Sequence, residues 1–152
     1  MEINKIVERS EQYFLKGYNC CQAVTAAFSD FTDISEENLL KLSCTLGGGF
    51  ARLRNVCGAV SGMGIILGLM YGSDDPDAKK QLYPKGQELA KKFEDEFGSI
   101  VCSELLKNLE SVDRSPVPQE RTEEYYKKRT CLDCVKMATR ILAQDLIDNE
   151  RI

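Results

Sequence analysis

The chain has 152 residues, 43% hydrophobic and 29% charged, which is typical of one globular domain with its own core. Its formal net charge of −4 argues against nucleic acid as a partner, because phosphate recognition needs a basic surface. The charged opening segment lacks the pattern of a signal peptide, and the longest apolar run, 56–72, is shorter than the roughly 20 residues of a membrane span. We therefore expect a cytoplasmic protein with one cysteine-rich domain over residues 1–152.

Three helices are predicted in the first third of the chain. An apolar stripe marks an opening helix that ends at Gly17, and Asn19 is a favourable N-cap for the second helix. Ser35 would begin a third helix, which ends at Gly47. The inward residues of the three helices are expected to be Ile3, Ile6, Val7, Tyr13 and Phe14; Cys21, Val24 and Phe28; and Leu39, Leu42 and Leu46.

A glycine-rich loop, GGGFARLR, separates this part from a fourth helix over 56–71, for which Asn55 is a candidate N-cap. Loop flexibility is the simpler interpretation of the glycine triplet, and an anion-binding nest with Arg52 and Arg54 is the alternative. The fourth helix contains glycines of its own, at positions 58, 62, 64 and 68.

Glycines inside a helix cost stability, so they need a reason. Close packing of this helix against another, within the chain or across a homodimer, is the simpler one. The alternative is that Gly58 and Gly62 leave room beside Cys57 for a cofactor or substrate.

Helical patterns continue to the end of the chain. Residues 73–98 predict one or two exposed helices, with a break or kink at Pro84 and an end at Gly98. Ser99 would cap the next helix, and the proline-containing segment 110–121 is a loop. The inward residues are expected to be Cys102, Leu105, Leu106 and Leu109, followed in the last helix by Cys134, Met137, Ala138, Ile141 and Leu142. No window alternates like a strand, so the sequence predicts an all-α, single-domain bundle of about six to seven helices.

Seven cysteines and no histidine define the available chemistry. An odd number of cysteines cannot pair completely within one chain, and a reducing cytoplasm disfavours structural disulfides. Without histidine, the chain cannot form Cys₂His₂ or Cys₃His zinc sites, histidine-ligated haem or a histidine-activated nucleophile. Any chemistry must therefore use sulfur, carboxylate, lysine or tyrosine.

Six of the seven cysteines follow predicted helix starts. Cys20 and Cys21 come directly after Asn19, Cys57 follows Asn55 and Cys102 follows Ser99, while Cys131 or Cys134 would open the last helix if Thr130 or Asp133 caps it. Free amides and the helix dipole at an N-terminus favour thiolate over thiol. The pattern thus predicts cysteines with lowered pKa values.

Simple burial is the alternative for each cysteine, because free cysteine packs as a small hydrophobe. Burial is the favoured interpretation for Cys44, near the end of its helix. Cys20 and Cys21 point about 100° apart, so only one of them can face a shared site. Cys21, Cys57, Cys102 and Cys134 all lie on inward stripes of different helices, which is what a site in a bundle core requires.

The CLDC motif carries the most direct local chemistry. Cys131 and Cys134 are three residues apart, close enough on a helix for a reversible disulfide. The preceding segment EEYYKKRT looks helical, so the βαβ context of thioredoxin is missing.

Several stretches together resemble the C_GCAxxG_C_C family, a group named for redox activity. They are NCCQAV, GGGF followed by NVCGAVSG, a cysteine ahead of SELL, and a cysteine opening the last helix. The most specific part is residues 57–62, Cys-Gly-Ala-Val-Ser-Gly. The resemblance implies a small helical protein with four site cysteines, Cys21, Cys57, Cys102 and one of the last pair, preferably Cys134.

Three hypotheses follow. The first is a redox protein of the thiol oxidoreductase type that acts on an unidentified redox partner or small-molecule substrate through Cys21, Cys57, Cys102, Cys131 and Cys134. The second is an iron–sulfur or zinc protein ligated by Cys21, Cys57, Cys102 and Cys134. The third is a helical interaction module with buried cysteines.

Overall fold

The computed structural model describes residues 2–106 and 112–152, and within these ranges the chain is all-α, as predicted. Eight α-helices are present there, where six to seven were expected. Their bounds are α1 Ile3–Leu15, α2 Cys20–Ala27, α3 Glu36–Leu42, α4 Gly58–Tyr71, α5 Lys79–Phe97, α6 Cys102–Leu105, α7 Glu123–Lys128 and α8 Cys131–Asp148. The predicted inward residue Leu109 lies outside the described residues.

Helix α2 lies at the centre and contacts α1, α3, α4 and α8. Its side chains are small, which lets its neighbours approach closely on several sides; the buried ones after the two cysteines are Ala23, Val24, Thr25, Ala26 and Ala27. Most of the larger core residues come from the surrounding helices, and Phe28 directly follows α2. They include Phe14, Phe28, Leu39, Ile66, Leu89, Phe93, Leu142 and Leu146.

Three predicted helix boundaries are confirmed by local geometry. The Asn19 side chain accepts a hydrogen bond from the Gln22 amide at 2.9 Å, and the Gln22 side chain accepts one from the Asn19 amide at 3.0 Å, a complete capping box. Ser35 caps α3 in the predicted way. Gly98 ends α5 with φ of 86°, a left-handed conformation that glycine adopts without steric cost.

Other boundary predictions were wrong. Helix α4 begins at Gly58, so its N-cap is Cys57 and not Asn55. Val101 precedes α6, while Ser99 instead accepts a hydrogen bond from the Val101 amide. Helix α5 continues through Pro84 without a break.

The third helix is shorter than the apolar pattern indicated. It ends at Leu42, which is exposed, because the chain turns there into a separate short helix over Cys44–Leu46. Cys44 therefore lies on the surface, and its predicted burial was wrong.

A candidate cysteine site at converging helix starts

Five cysteines line one cavity of about 60 Å³, which we call the cysteine cavity. They come from the beginnings of four different helices, α2, α4, α6 and α8. The five are Cys20, Cys57, Cys102, Cys131 and Cys134. This convergence brings together residues up to 114 positions apart in the sequence, between Cys20 and Cys134.

Backbone pairing places Cys57 beside Cys102. Val56 and Val101 form an isolated antiparallel bridge, the only pairing of this kind within residues 2–106 and 112–152. The Cys57 amide donates to the Ile100 carbonyl at 2.8 Å, and the Cys102 amide donates to the Asn55 carbonyl at 2.6 Å. The starts of α4 and α6 are thereby held side by side, although the two cysteines are 45 residues apart.

The last two cavity cysteines, Cys131 and Cys134, owe their position to an interruption between two helices. Helix α7 ends at Lys128, and Arg129 is extended, with φ of −113° and ψ of 144°. Helix α8 then starts at Cys131 with Thr130 as its N-cap residue. Both cysteines of the CLDC motif therefore lie at the beginning of a helix, as one of the two proposed caps predicted.

The loop 47–54 closes the cavity on another side and has an unusual backbone. Phe50, Ala51, Arg52 and Arg54 all have positive φ values, between 47° and 70°. Non-glycine residues rarely adopt this conformation, and such strain is concentrated at functional sites. The loop is also tightly packed, because a Cβ at Gly47 would lie 2.4 Å from the Asn19 side chain.

Cys20, and not Cys21, faces the cavity. Cys21 is fully buried on the side of α2 that packs into the core, as its apolar stripe predicted, but it does not line the cavity. Gly58 and Gly62 do not line it either. Their α-carbons face α2, where an added Cβ would lie 2.4 Å from Cys20 Sγ and 3.0 Å from Val24 Cβ respectively. Close helix packing, the simpler interpretation, therefore accounts for these two glycines, because α2 occupies the space next to them.

Cys57 shares the cavity with Cys20 and Cys134. Both of these thiols are near enough to influence its pKa. At the edge of the cavity, Arg54 Nη1 lies 3.8 Å from Cys102 Sγ. All seven cysteines are unpaired in this structure.

The cavity raises cysteine pKa values, and the prediction of lowered values was wrong. Contact with the Cys134 thiol, together with burial, raises the pKa of Cys57 well above its usual range. Contact with Cys57 and burial do the same to the pKa of Cys20. Helix-start amides act in the opposite direction, for example that of Ala59 on Cys57, but the neighbouring thiol and the loss of hydration together outweigh them.

The remaining shifts are caused mainly by burial. Burial raises the pKa of Cys131 to about 11. Burial also raises the pKa of Cys102, although the neighbouring Arg54 guanidinium lowers it in part. Without a further ligand, these groups are therefore neutral thiols near pH 7.

The alkaline shift gives a direct prediction for Cys131, which is half-buried and so accessible to a small reagent. Because only the thiolate reacts and its pKa is about 11, alkylation by iodoacetamide should rise about tenfold per pH unit from pH 7 to pH 10. A small reference thiol with a pKa of about 8.5 levels off above pH 9. Peptide mass spectrometry would measure the rate at Cys131, and a plateau below pH 9 would contradict the shift.

Five sulfurs form a donor set that suits zinc or an iron–sulfur cluster. The spacing of these sulfurs in this structure is not that of metal ligands, since no three histidine, cysteine or carboxylate side chains of the described residues lie close enough to share an ion. The predicted metal ligands Cys57, Cys102 and Cys134 share the cavity, whereas Cys21 lies outside it.

Residues 18–144 match the model of a protein family described as "Putative redox-active protein (C_GCAxxG_C_C)". The chain belongs to the C_GCAxxG_C_C family. The most specific segment of the C_GCAxxG_C_C pattern, residues 57–62, consists of the N-cap and first turns of α4, and its cysteine, Cys57, lines the cavity. No curated protein and no solved structure is significantly similar to the chain.

Within residues 2–106 and 112–152, no helix combines the length and the apolar character that crossing a bilayer demands.

Proposed function

We propose that the chain is a thiol–disulfide redox protein in which Cys57 forms a reversible disulfide with Cys20 or Cys134. The observation that supports this proposal is that Cys57, Cys20 and Cys134 line one small cavity, where both neighbouring thiols are near enough to Cys57 to influence its pKa. Membership in a family named for redox activity supports the same class of function.

The proposed reaction exchanges two thiols for a disulfide. One thiolate of the pair attacks an external disulfide RSSR, forms a mixed disulfide and releases RS⁻. The second thiol attacks the protein sulfur of the mixed disulfide and releases the other RS⁻. The two protons of the protein thiols leave with the two RSH molecules, so the protein is oxidised by two electrons and the external disulfide is reduced.

High thiol pKa values fit a slow, selective reaction in the resting protein. A neutral thiol is a poor nucleophile, so a bulk oxidant should react slowly with Cys57 or Cys20 at neutral pH. Once formed, the internal disulfide carries no charge, and burial of its two sulfurs costs no ionic hydration.

Thiol counting together with metal and sulfide analysis tests the proposal on anaerobically purified protein. We expect colourless, metal-free protein that loses two thiols on treatment with a small disulfide and regains them with a reductant. Iron with acid-labile sulfide, or stoichiometric zinc, would replace the proposal by the metal hypothesis. If the thiols react only after unfolding, the helical interaction module is the hypothesis that remains.

A further inference from the structure

A second cavity of about 310 Å³ adjoins the cysteine cavity. Its wall combines the loop 44–54 with the segment 116–129, and the two cavities have six lining residues in common. The six are Asn19, Gly48, Arg54, Arg121, Tyr125 and Arg129. We call this larger space the arginine cavity, because Arg52 joins three of these residues to give it four arginines. It provides the approach to the sulfurs.

The wall of the arginine cavity is strongly cationic, although the chain as a whole has a net charge of −4. Of the residues that the structure describes, no aspartate or glutamate lines this cavity. Arg52 makes one ion pair, with the exposed carboxylate of Asp113 at 3.7 Å. Across the described part of the chain, the other three arginines make none. Burial and the neighbouring Arg54 charge lower the pKa of Arg52, as expected where positive charges crowd together.

Arg54 lies at the junction of the two cavities and is only 4% exposed. Its Nε donates to the Asp113 carbonyl at 3.0 Å, and its Nη1 faces Cys102 Sγ. Its Nη2 is buried and has no hydrogen-bond partner among residues 2–106 and 112–152. A buried cationic donor without an acceptor is costly, so this position is suited to an anionic ligand.

The other two shared arginines are held in place before any ligand arrives. Arg121 donates to the carbonyls of Phe14 and Tyr18, both at 2.9 Å. The guanidinium carbons of Arg121 and Arg129 lie 5.0 Å and 4.6 Å from the centre of the Tyr125 ring. A planar guanidinium fixed in this way recognises a carboxylate with little loss of freedom.

We propose that the arginine cavity selects the substrate of the thiol reaction, and that this substrate is a low-molecular-weight disulfide bearing carboxylates. This inference rests on the proposed function. The cavity volume is at the lower end of the range for small-molecule sites. A carboxylate on Arg54 Nη2 would lie beside Cys102, so the attached disulfide would enter the cysteine cavity and be reduced there to two carboxylate-bearing thiols.

The test compares three small disulfides of different charge: 3,3′-dithiodipropionate, bis(2-hydroxyethyl) disulfide and cystamine. Each rate of protein thiol loss is divided by the rate of the same disulfide with a small reference thiol. We expect dithiodipropionate to react at least about tenfold faster than cystamine by this normalised measure, and added salt to reduce the difference.

Arg54→Met and Arg129→Met should each reduce that preference. Arg54→Met should abolish most of it, and Arg129→Met, at a more accessible position, provides an independent variant if the first does not fold. Arg114→Met is the matched control, because Arg114 is exposed and lines neither cavity. Its preference should equal that of the wild type.

The two proposals fail in different ways. If none of the three disulfides removes two thiols from the wild-type protein, the proposed redox function is wrong. If all three do so at equal normalised rates, or if folded Arg54→Met and Arg129→Met keep the full preference, the redox function stands and the anionic selectivity is overturned.

Discussion

Substitution of Cys57 by serine should slow the loss of two thiols on treatment with a small disulfide by at least about a hundredfold. Cys57 is the common neighbour of Cys20 and Cys134, so its removal takes away both proposed pairs. The lost rate is that of an intramolecular attack, in which the effective thiol concentration far exceeds that of any external thiol. Serine is a favoured N-cap residue, so the start of α4 should be retained.

The neighbouring single variants sharpen this prediction. Cys20→Ser and Cys134→Ser should each keep the two-thiol reaction, because each leaves Cys57 with one partner, whereas the double variant should lose it. Cys21→Ala is the control, since Cys21 lies next to Cys20 on α2 but lines neither cavity. A folded Cys57→Ser protein that loses two thiols at the wild-type rate would refute the role of Cys57.

Alanine at Gly58 should destabilise the protein by about 1–3 kcal/mol, the usual cost of forcing an extra methyl group into a packed interior. The added Cβ would lie 2.4 Å from Cys20 Sγ and 2.9 Å from the Leu46 carbonyl oxygen. The backbone contact cannot yield easily, so α2 and α4 must separate or Cys20 must turn away from Cys57. The thiol reaction should therefore slow together with the loss of stability.

Gly64→Ala in the same helix is the matched control. An added Cβ there meets no atom within 4 Å, and alanine favours a helix by up to about 1 kcal/mol over glycine. Urea unfolding would measure both variants. We expect Gly64→Ala to be at least as stable as the wild type, and equal stability of Gly58→Ala would contradict the close contact of α2 with α4.

Helix periodicity and capping residues were sufficient to predict the fold class. Asn19 and Ser35 identified two helix starts because their side chains cap locally, a property that sequence expresses directly. The five cysteines expected near the starts of α2, α6 and α8 do lie there. Cys57 became an N-cap itself because the bridge between Val56 and Val101 holds the preceding residues extended.

The choice between Cys20 and Cys21 could not be made from the sequence. The apolar stripe correctly assigned Cys21 to the core, but the cavity lies on another face of α2, where the loop 47–54 packs. That packing depends on long-range contacts, such as the hydrogen bond from Asn19 Nδ2 to the Cys44 carbonyl at 2.8 Å. Local patterns contain no information on which of two adjacent side chains such a loop will cover.

The cationic wall and the raised pKa values were missed for a related reason. Arg52 and Arg54 were noted as candidates for an anion-binding nest, but Arg121 and Arg129 join them only through the tertiary fold. Helix-start position favours a thiolate, and this preference can be predicted from sequence. Burial reverses this preference. It arises from the enclosure of the sulfurs by four helices, which cannot be predicted from the sequence.

Disulfide mapping of the wild-type protein is the most direct test of the central claim. The native protein would be treated with one equivalent of a small disulfide, quenched by acid, alkylated and digested, and its linked peptides identified by mass spectrometry. Our account predicts that the dominant product joins Cys57 to Cys20 or to Cys134. A dominant product that leaves Cys57 as a free thiol, such as a Cys131–Cys134 disulfide, would contradict it.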